Sequence, residues 1–136
     1  NKKIDLTILH CTSSYPTHYS EANLASIGFL SSKFKHNIGW SDHTVNKEVI
    51  KRAIYKWGVD IIEFHFDLDG KGEEFTTGHC WLPKAVKALI DELNVGFDSD
   101  GSFSKGPTKS ERNERLWRAD PSDGLRPLKV IRKDWK

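Results

Sequence analysis

The 136-residue sequence lacks methionine and contains only two cysteines, Cys11 and Cys80. Two cysteines do not build a disulfide framework, so we interpret both as free thiols of a cytoplasmic protein. No apolar run approaches the ~18 residues that a membrane span needs. The formal net charge of +2 gives no electrostatic reason to expect nucleic acid or a membrane as a partner. Because a natural start requires methionine, we expect that an upstream segment is missing.

Three short segments change abruptly from apolar residues to polar, chemically capable side chains. They are Ile8–Pro16, Ile38–Thr44 and Ile61–Asp69. Buried parallel strands have this pattern where their carboxyl ends open onto an active site. Helical periodicity follows the first two segments, and the third leads through a long loop to a helix that begins at Pro83. The pattern predicts an α/β enzyme with three consecutive strand–helix units.

The fold prediction is an α/β partial (β/α)8 TIM barrel, with about three C-terminal βα units and an irregular C-terminal tail. Three parallel strands alone leave two open sheet edges, which favours part of a barrel over a complete doubly wound sheet. The hydrophobic content of 37% is also low for a self-contained globule. We assign residues 1–93 to the barrel units, 94–110 to a linker or surface loop, and 111–136 to an extended tail.

Capping residues and apolar spacing predict the bounds of single elements. Ser20 is the expected N-cap of the first helix, Asn46 is that of the second, and Gly58 is the glycine that ends the second helix. We expect the strand at residues 60–66 to be buried on both faces apart from its two polar side chains. The helix after it is predicted to end near Leu93.

His43 and His65 lie at the ends of consecutive predicted strands. Adjacent strand ends of a barrel are close enough for two imidazoles to share one cation, and imidazole binds zinc, iron, nickel or manganese. In one alternative, each histidine only forms hydrogen bonds within the barrel mouth. In another, the two His-Cys pairs of the sequence, His10–Cys11 and His79–Cys80, form a zinc site.

The run Ser41-Asp42-His43 is not a catalytic triad, because neighbouring side chains on a strand point to opposite faces. Ser41 and His43 share one face, and Ser41 is a candidate hydroxyl donor to a substrate oxyanion. Asp42 points away and is expected to orient a neighbouring loop. A nearby loop adds three hydroxyls that suit a phosphate or polyol ligand: Thr12, Ser13 and Tyr15.

The motifs HCTSSYP, GWSDHT and IIEFHFDLD, in this order and spacing, resemble the last barrel units of the sialic acid synthase (N-acetylneuraminate synthase) family. Members typically carry HCT-x-x-YP, G-[YLW]-SDHT and E-[KR]-HF, and the resemblance covers about residues 4–90. It implies a (β/α)8 barrel transferase that condenses phosphoenolpyruvate with N-acetylmannosamine or a related amino sugar and releases phosphate. A divalent cation, Mn²⁺ or Mg²⁺, polarises the sugar aldehyde in such enzymes.

The resemblance implies a role for five residues of this chain. His43 and His65 match the metal-binding histidines, and Ser41 matches the serine that contacts phosphate. Ser13 and Tyr15 match the pair that contacts the sugar, although Ser13 stands where the family often has Asn.

One family element is absent after the third strand, a G-P-D-H/I segment with an acidic residue that contacts substrate. Its Asp falls on Thr76, so that role is vacant unless Glu73, Glu74 or His79 takes it. The family's catalytic Glu and phosphate-binding lysines belong to upstream strands, so no catalytic residue is assigned here. We expect this chain alone to be inactive and to bind metal weakly. The expected partner is a homodimer copy or the missing N-terminal barrel half.

Two other functions stay open at this point. The first is a different phosphoenolpyruvate-dependent 3-deoxy-keto-acid synthase, or a metal aldolase, on the same barrel. The second is a non-catalytic assembly module that dimerises through its exposed strand edges.

Overall fold

The computed structural model describes residues 4–133, and the chain divides into two compact units between Ser99 and Asp100. The elements of the first unit are β1 (Thr7–Cys11), a 3-10 helix (Tyr19–Glu21), α1 (Ala25–Lys33), β2 (Asn37–Asp42), α2 (Lys47–Trp57), β3 (Ile62–Phe64), α3 (Glu73–Thr76) and α4 (Pro83–Asp100). The second unit contains α5 (Glu111–Glu114), a 3-10 helix (Arg115–Trp117) and α6 (Lys129–Arg132). Within residues 4–133, no helix is both long enough and apolar enough to cross a membrane.

The three strands form one parallel sheet in the order β1-β2-β3, with β2 in the centre. The strands follow one another both in the chain and in the sheet, as in consecutive βα units. Ser41 near the end of β2 lies opposite Cys11 of β1 and Glu63 of β3. This parallel α/β arrangement was predicted, and it brings the carboxyl ends of all three strands to one edge.

Helix α2 begins and ends at the residues that the sequence predicts. The side chain of Asn46 accepts a hydrogen bond from the backbone N–H of Glu48, and Gly58 adopts the left-handed conformation with φ 68°. The prediction that Ser20 is the N-cap of α1 was wrong. It lies in the preceding 3-10 helix, and Asn23, with φ 46°, separates that helix from α1.

The helices pack on one face of the sheet and enclose two hydrophobic clusters. The first surrounds Trp40, which is fully buried, together with Ile27 of α1 and Ala53 of α2. The second contains Ile50 of α2 and Trp81, which lies just before α4. Helix α2 contributes to both clusters, so it packs against α1 and also against the chain that follows β3.

Strand β3 is shorter and more exposed than predicted. It comprises three residues, and the side chains that flank it, Ile61 and Phe66, are 45% and 47% exposed. The prediction of burial on both faces was therefore wrong for the described chain. The reason is that β3 is an edge strand, and an apolar sequence alone does not determine whether a neighbouring strand covers it.

Helix α4 continues to Asp100 and does not end near Leu93. The aromatic ring of Tyr55 in α2 packs against Phe97 with 5.7 Å between ring centroids, and its hydroxyl donates to the Leu93 carbonyl. Gly96 lies under that hydroxyl, where a Cβ atom would clash. Gly96 therefore allows a close contact inside a helix, and the predicted boundary at residue 94 lies within α4.

In the second unit, acidic side chains organise short helices and turns. Asp120 accepts hydrogen bonds from the Ser122 hydroxyl and from the backbone N–H groups of Ser122 and Lys129, which together lower the pKa of its carboxyl to about 2. Asp123 accepts two hydrogen bonds of 2.8 Å from Arg132. The tail predicted to be extended thus contains short helices, α5 and the 3-10 helix that follows it.

Candidate metal and substrate site

Alternation along β2 sends Ser41 and Asp42 to opposite faces of the sheet. The Ser41 hydroxyl donates to Glu63 Oε2 across the parallel pair at a distance of 2.6 Å. Because Ser41 is buried and its proton is held by the Glu63 carboxylate, any donation to a substrate must compete with that carboxylate.

Asp42 is fully buried and organises the turn that follows β2. One carboxylate oxygen accepts from the Thr44 backbone and hydroxyl at 3.0 and 2.6 Å. The other accepts from the Val45 N–H at 3.1 Å and from the indole N–H of Trp81 at 3.0 Å. The prediction that Asp42 orients a neighbouring loop is confirmed. Through Trp81, Asp42 also fixes the start of α4.

His43 follows Asp42 and is buried beside the loop after β1. Its Nδ1 donates to the Thr12 carbonyl at 2.8 Å, and its own carbonyl accepts from the Thr17 N–H at 2.8 Å. Because a carbonyl only accepts hydrogen bonds, Nδ1 carries the proton and Nε2 keeps its lone pair. The Tyr15 ring lies 4.2 Å from the imidazole, measured between ring centroids.

His65 follows β3 and converges on the same place. Its ring centroid lies 5.1 Å from that of His43 and 5.6 Å from that of Tyr15. Its Nδ1 donates to Glu74 Oε2 at 2.8 Å. The structure therefore brings together the two histidines that the sequence singled out, with Tyr15 beside both.

His79 is a third imidazole of this cluster and is buried. Its ring lies 5.0 Å from His65 and 5.2 Å from Tyr15, measured between centroids. The Thr77 hydroxyl donates to the backbone carbonyls of Glu73 and Glu74, so its oxygen accepts the Nδ1 proton of His79 at 3.0 Å. This bond leaves the Nε2 lone pair of His79 free.

Glu74 and Cys80 complete the polar side of the cluster. The Cys80 thiol donates to Glu74 Oε2 at 3.7 Å. The hydrogen bond from His65 is the main reason that the pKa of Glu74 lies below its usual value. Burial, and after it the negative charge of Glu74, raises the pKa of the Cys80 thiol. The loop therefore holds a carboxylate next to a shielded thiol.

One ligand atom from each of four residues lies within 4.8 Å of the others: His65, Glu74, His79 and Cys80. Imidazole, carboxylate and thiol are the ligand types that borderline divalent cations bind. His43, whose Nδ1–H is held by a carbonyl, has the orientation that outer partners give to a metal-binding imidazole. The residues present thus fit a divalent cation.

The remaining predicted site residues lie at the margin of this cluster. Thr12 contributes its carbonyl to His43, while its hydroxyl donates to the Glu21 carbonyl at 3.3 Å. Ser13 and Glu73 are exposed, and within residues 4–133 neither side chain has a described contact with the histidines.

The zinc alternative requires His10 to lie with His79 and Cys80, and the structure places His10 elsewhere. His10 lies apart from this cluster, because its ring packs 5.1 Å from Trp40 and its Nε2 bonds the Ala22 carbonyl. The sequence signal for the observed group was a His-Cys pair just before a buried tryptophan, at the end of an acidic loop. The sequence did not show how that loop folds, and the loop's fold brings Glu74 back to His65.

The NeuB family model matches residues 1–105 of the chain. N,N'-diacetyllegionaminic acid synthase of Campylobacter jejuni is 32% identical over 111 residues, which are 82% of this chain and 33% of that protein. Pseudaminic acid synthase of the same species is 41% identical over 92 residues, which are 68% of this chain and 26% of that protein.

The crystal structure of N-acetylneuraminic acid (sialic acid) synthetase from Leptospira borgpetersenii, in complex with citrate, has a similar fold. It is 34% identical, with a TM-score of 0.60 over 79% of this chain and 38% of that chain. The chain thus spans about a third of the length of these relatives. Since the family model covers most of the sequence, including all three strands and the histidine cluster, the chain belongs to the NeuB family.

Proposed function

We propose that this chain is the C-terminal part of a synthase barrel that condenses phosphoenolpyruvate with N-acetylmannosamine or a related amino sugar. The products are a nonulosonic, sialic-type acid and phosphate. Relatives named as legionaminic, pseudaminic and sialic acid synthases support this reaction class. The rest of the barrel, with the catalytic Glu and the phosphate-binding lysines, comes from an N-terminal barrel half.

The convergence of His43 and His65 is the observation that carries the proposal. Consecutive parallel strands present the two imidazoles 5.1 Å apart, measured between ring centroids. The Thr12 carbonyl and the Glu74 carboxylate hold the two Nδ1 atoms, so the opposite nitrogens face outward. Paired histidines whose other ring nitrogens are held by hydrogen-bond acceptors are typical of a catalytic cation site.

In this proposal His43 and His65 hold a divalent cation, Mn²⁺ or Mg²⁺. Such an ion acts as a Lewis acid that polarises the sugar aldehyde. Tyr15 lies against both imidazoles and orients the sugar. Ser41 turns its hydroxyl from Glu63 to the phosphate of phosphoenolpyruvate, and Glu63 accepts that proton again when the phosphate leaves.

The test is phosphate release by the full-length gene product that contains this chain. We expect release from phosphoenolpyruvate to require both Mn²⁺ and an N-acylated mannosamine. The variant His43→Gln should lose at least about 100-fold in turnover, because it removes one ligand. The matched control His36→Gln, at an exposed histidine outside the cluster, should keep full activity.

Two results would contradict the proposal. Turnover of simple phosphorylated aldoses in place of the amino sugar favours a different phosphoenolpyruvate-dependent synthase. An absence of phosphate release with every sugar tested, from protein that is folded and bound to Mn²⁺, favours a non-catalytic assembly module.

A further inference from the structure

One oxygen of Glu74 is the meeting point of three potential metal ligands. Glu74 Oε2 lies 2.8 Å from His65 Nδ1, 3.7 Å from Cys80 Sγ and 3.9 Å from His79 Nε2. The four side chains together offer atoms that all lie within 4.8 Å of one another. Two imidazoles, a thiol and a carboxylate thus offer their ligand atoms to one place.

Backbone hydrogen bonds build this group into the fold. The Trp81 N–H donates to the His65 carbonyl at 2.8 Å, and the Asp67 N–H donates to the Trp81 carbonyl at 2.9 Å. These two bonds join the start of the loop to its end. The N–H of His79 donates to the Glu74 carbonyl at 3.3 Å. His79 and Cys80 are 7% and 5% exposed, so both side chains are buried.

We propose that His65, through its Nδ1, forms a four-ligand cation site with Glu74, His79 and Cys80, and that this site selects a borderline ion such as Zn²⁺, Fe²⁺ or Co²⁺ over Mg²⁺. The inference goes beyond the proposed function, because this cation binds Nδ1 of His65, whereas the cation shared with His43 binds the opposite nitrogen. A neutral imidazole with one lone pair serves one of the two cations at a time. A thiolate ligand is what distinguishes this site from one made of nitrogen and oxygen donors alone, because thiolates bind soft and borderline cations and Mg²⁺ prefers oxygen.

The geometry is close to that of a bound cation. Ligand atoms around tetrahedral Zn²⁺ lie roughly 3.3–3.6 Å apart, given metal distances of about 2.0–2.1 Å to nitrogen and 2.3 Å to sulfur. The distances from Glu74 Oε2, 2.8 to 3.9 Å, need shifts below one ångström to match.

Charge also favours a cation here. When the cation binds, the Cys80 thiol proton passes to solvent and the Nδ1 proton of His65 moves to Nε2, so the thiolate and the Glu74 carboxylate together balance a 2+ charge. This ligand set lies within one chain. It therefore predicts tight binding without upstream residues, in contrast to the weak binding expected from the sequence.

The test titrates the protein with Co²⁺ and follows its near-ultraviolet absorption, where a thiolate bound to Co²⁺ gives a charge-transfer band. We expect the band in the unmodified protein and its loss in Cys80→Ser. Cys11→Ser is the matched control and should keep the band, although Cys11 Sγ lies 4.0 Å from His43 Nδ1. A band lost in Cys11→Ser and kept in Cys80→Ser would overturn the proposal.

Ion selectivity gives a second, independent measurement. His79→Gln and Glu74→Gln should each weaken Zn²⁺ affinity at least about 100-fold, as removal of a ligand does, while His36→Gln leaves it unchanged. Mg²⁺ should fail to displace Zn²⁺ in calorimetric competition. Equal affinity for the two ions, or full Zn²⁺ affinity in both ligand variants, would overturn the proposal.

A third measurement is independent of whether Cys80→Ser folds. In Cys11→Ser the remaining thiol is Cys80, and Zn²⁺ should slow its alkylation at least about tenfold while Mg²⁺ does not. Equal alkylation rates with and without Zn²⁺ would count against ligation by Cys80. None of these measurements uses phosphoenolpyruvate or a sugar, so the cation site can be present when the proposed reaction fails.

Discussion

Two regions meet at the histidine cluster, and they are built differently. We call residues 41–45 the β2 rim and residues 67–80 the β3 loop. At the β2 rim, Ser41, Asp42 and His43 are buried at the end of the central strand. In the β3 loop, Glu74 is 60% exposed, and its position depends on bonds to His65 and Cys80.

The difference shows how each region positions a ligand. Strand register and a buried carboxylate hold the β2 rim, so its side chains have one arrangement as long as the sheet exists. In the β3 loop, side chains bond nearby backbone N–H groups, and this local pattern opens at a lower cost than the sheet. We therefore expect variants at the β2 rim to reduce global stability. We expect variants in the β3 loop to weaken cation binding more than they reduce global stability.

The largest effect is expected from Asp42→Ala. Removing this carboxylate leaves buried donors of Thr44, Val45 and Trp81 without an acceptor. The expected loss is about 3 kcal/mol in the free energy of unfolding, measured by urea denaturation, because each unsatisfied buried donor is costly. Trp81 fluorescence should change as well, since its indole N–H loses its partner.

Asp42→Asn is the matched control for that prediction. It keeps the shape and one acceptor oxygen but points an NH2 group at other donors, so its loss should be smaller than that of Asp42→Ala. If both variants unfold with wild-type midpoints, the β2 rim is not held by Asp42, and the contrast with the β3 loop fails.

The two regions also differ in how far their sequence predicts them. An apolar run, alternation and a following helix were enough to predict that Ser41 and His43 share a face and that Asp42 orients a loop. They also predicted that His65 would lie near His43. These features depend on strand geometry, which has a fixed period of two.

The β3 loop offered no such period. Its shape depends on Asp67, whose carboxylate accepts from the backbone N–H groups of Asp69, Gly70 and Gly72. The sequence indicated that Glu74 and His79 were candidates, but not that the Cys80 thiol donates to Glu74. The exposure of β3 and the length of α4 were missed for a related reason. Both depend on tertiary neighbours, an uncovered edge and the Tyr55 contact, that local patterns do not contain.

The next smaller effect is expected from Asp67→Ala. Three backbone N–H groups of the β3 loop lose their acceptor, and the loop opens. We expect Co²⁺ affinity to fall about 10- to 100-fold, as it does when a supporting partner is lost. The urea midpoint should move much less than for Asp42→Ala. Hydrogen exchange at Gly70 and Gly72 should become faster, while exchange in β2 stays slow.

Ser104→Ala, in the second unit, is the control for that loop variant. Its hydroxyl bonds only Ser102 among the described contacts, so neither cation affinity nor exchange should change. If Asp67→Ala lowers global stability as much as Asp42→Ala, the β3 loop is as integral to the fold as the β2 rim, and the comparison is wrong.

The smallest effect is expected from Glu92→Gln, which tests whether the two regions are coupled through the helices that follow them. Lys47 and Lys51 of α2 pair with Glu92 of α4 at 2.5 and 2.8 Å, and these bonds, that of Lys47 first, hold the pKa of Glu92 below its usual value. Because the folded pKa is lowered, the stabilisation is present above the ordinary glutamate pKa of about 4.3 and is lost as the pH falls through the lowered value.

The pairs that Glu92 forms are partly exposed, so salt screens them. At neutral pH and low salt, Glu92→Gln should lower the urea midpoint slightly, and the difference from the unmodified protein should shrink at high salt and below pH 4. Asp91→Asn is the matched control, because Asp91 pairs with Lys87 within α4 and joins no second helix. If Glu92→Gln also weakens Co²⁺ binding and Asp91→Asn does not, the α2–α4 pairing couples the stability of the β2 rim to cation binding at the β3 loop. If neither variant changes Co²⁺ binding, the α2–α4 pairing does not couple the two regions, and their connection lies inside the fold, as in the hydrogen bond from Trp81 to Asp42.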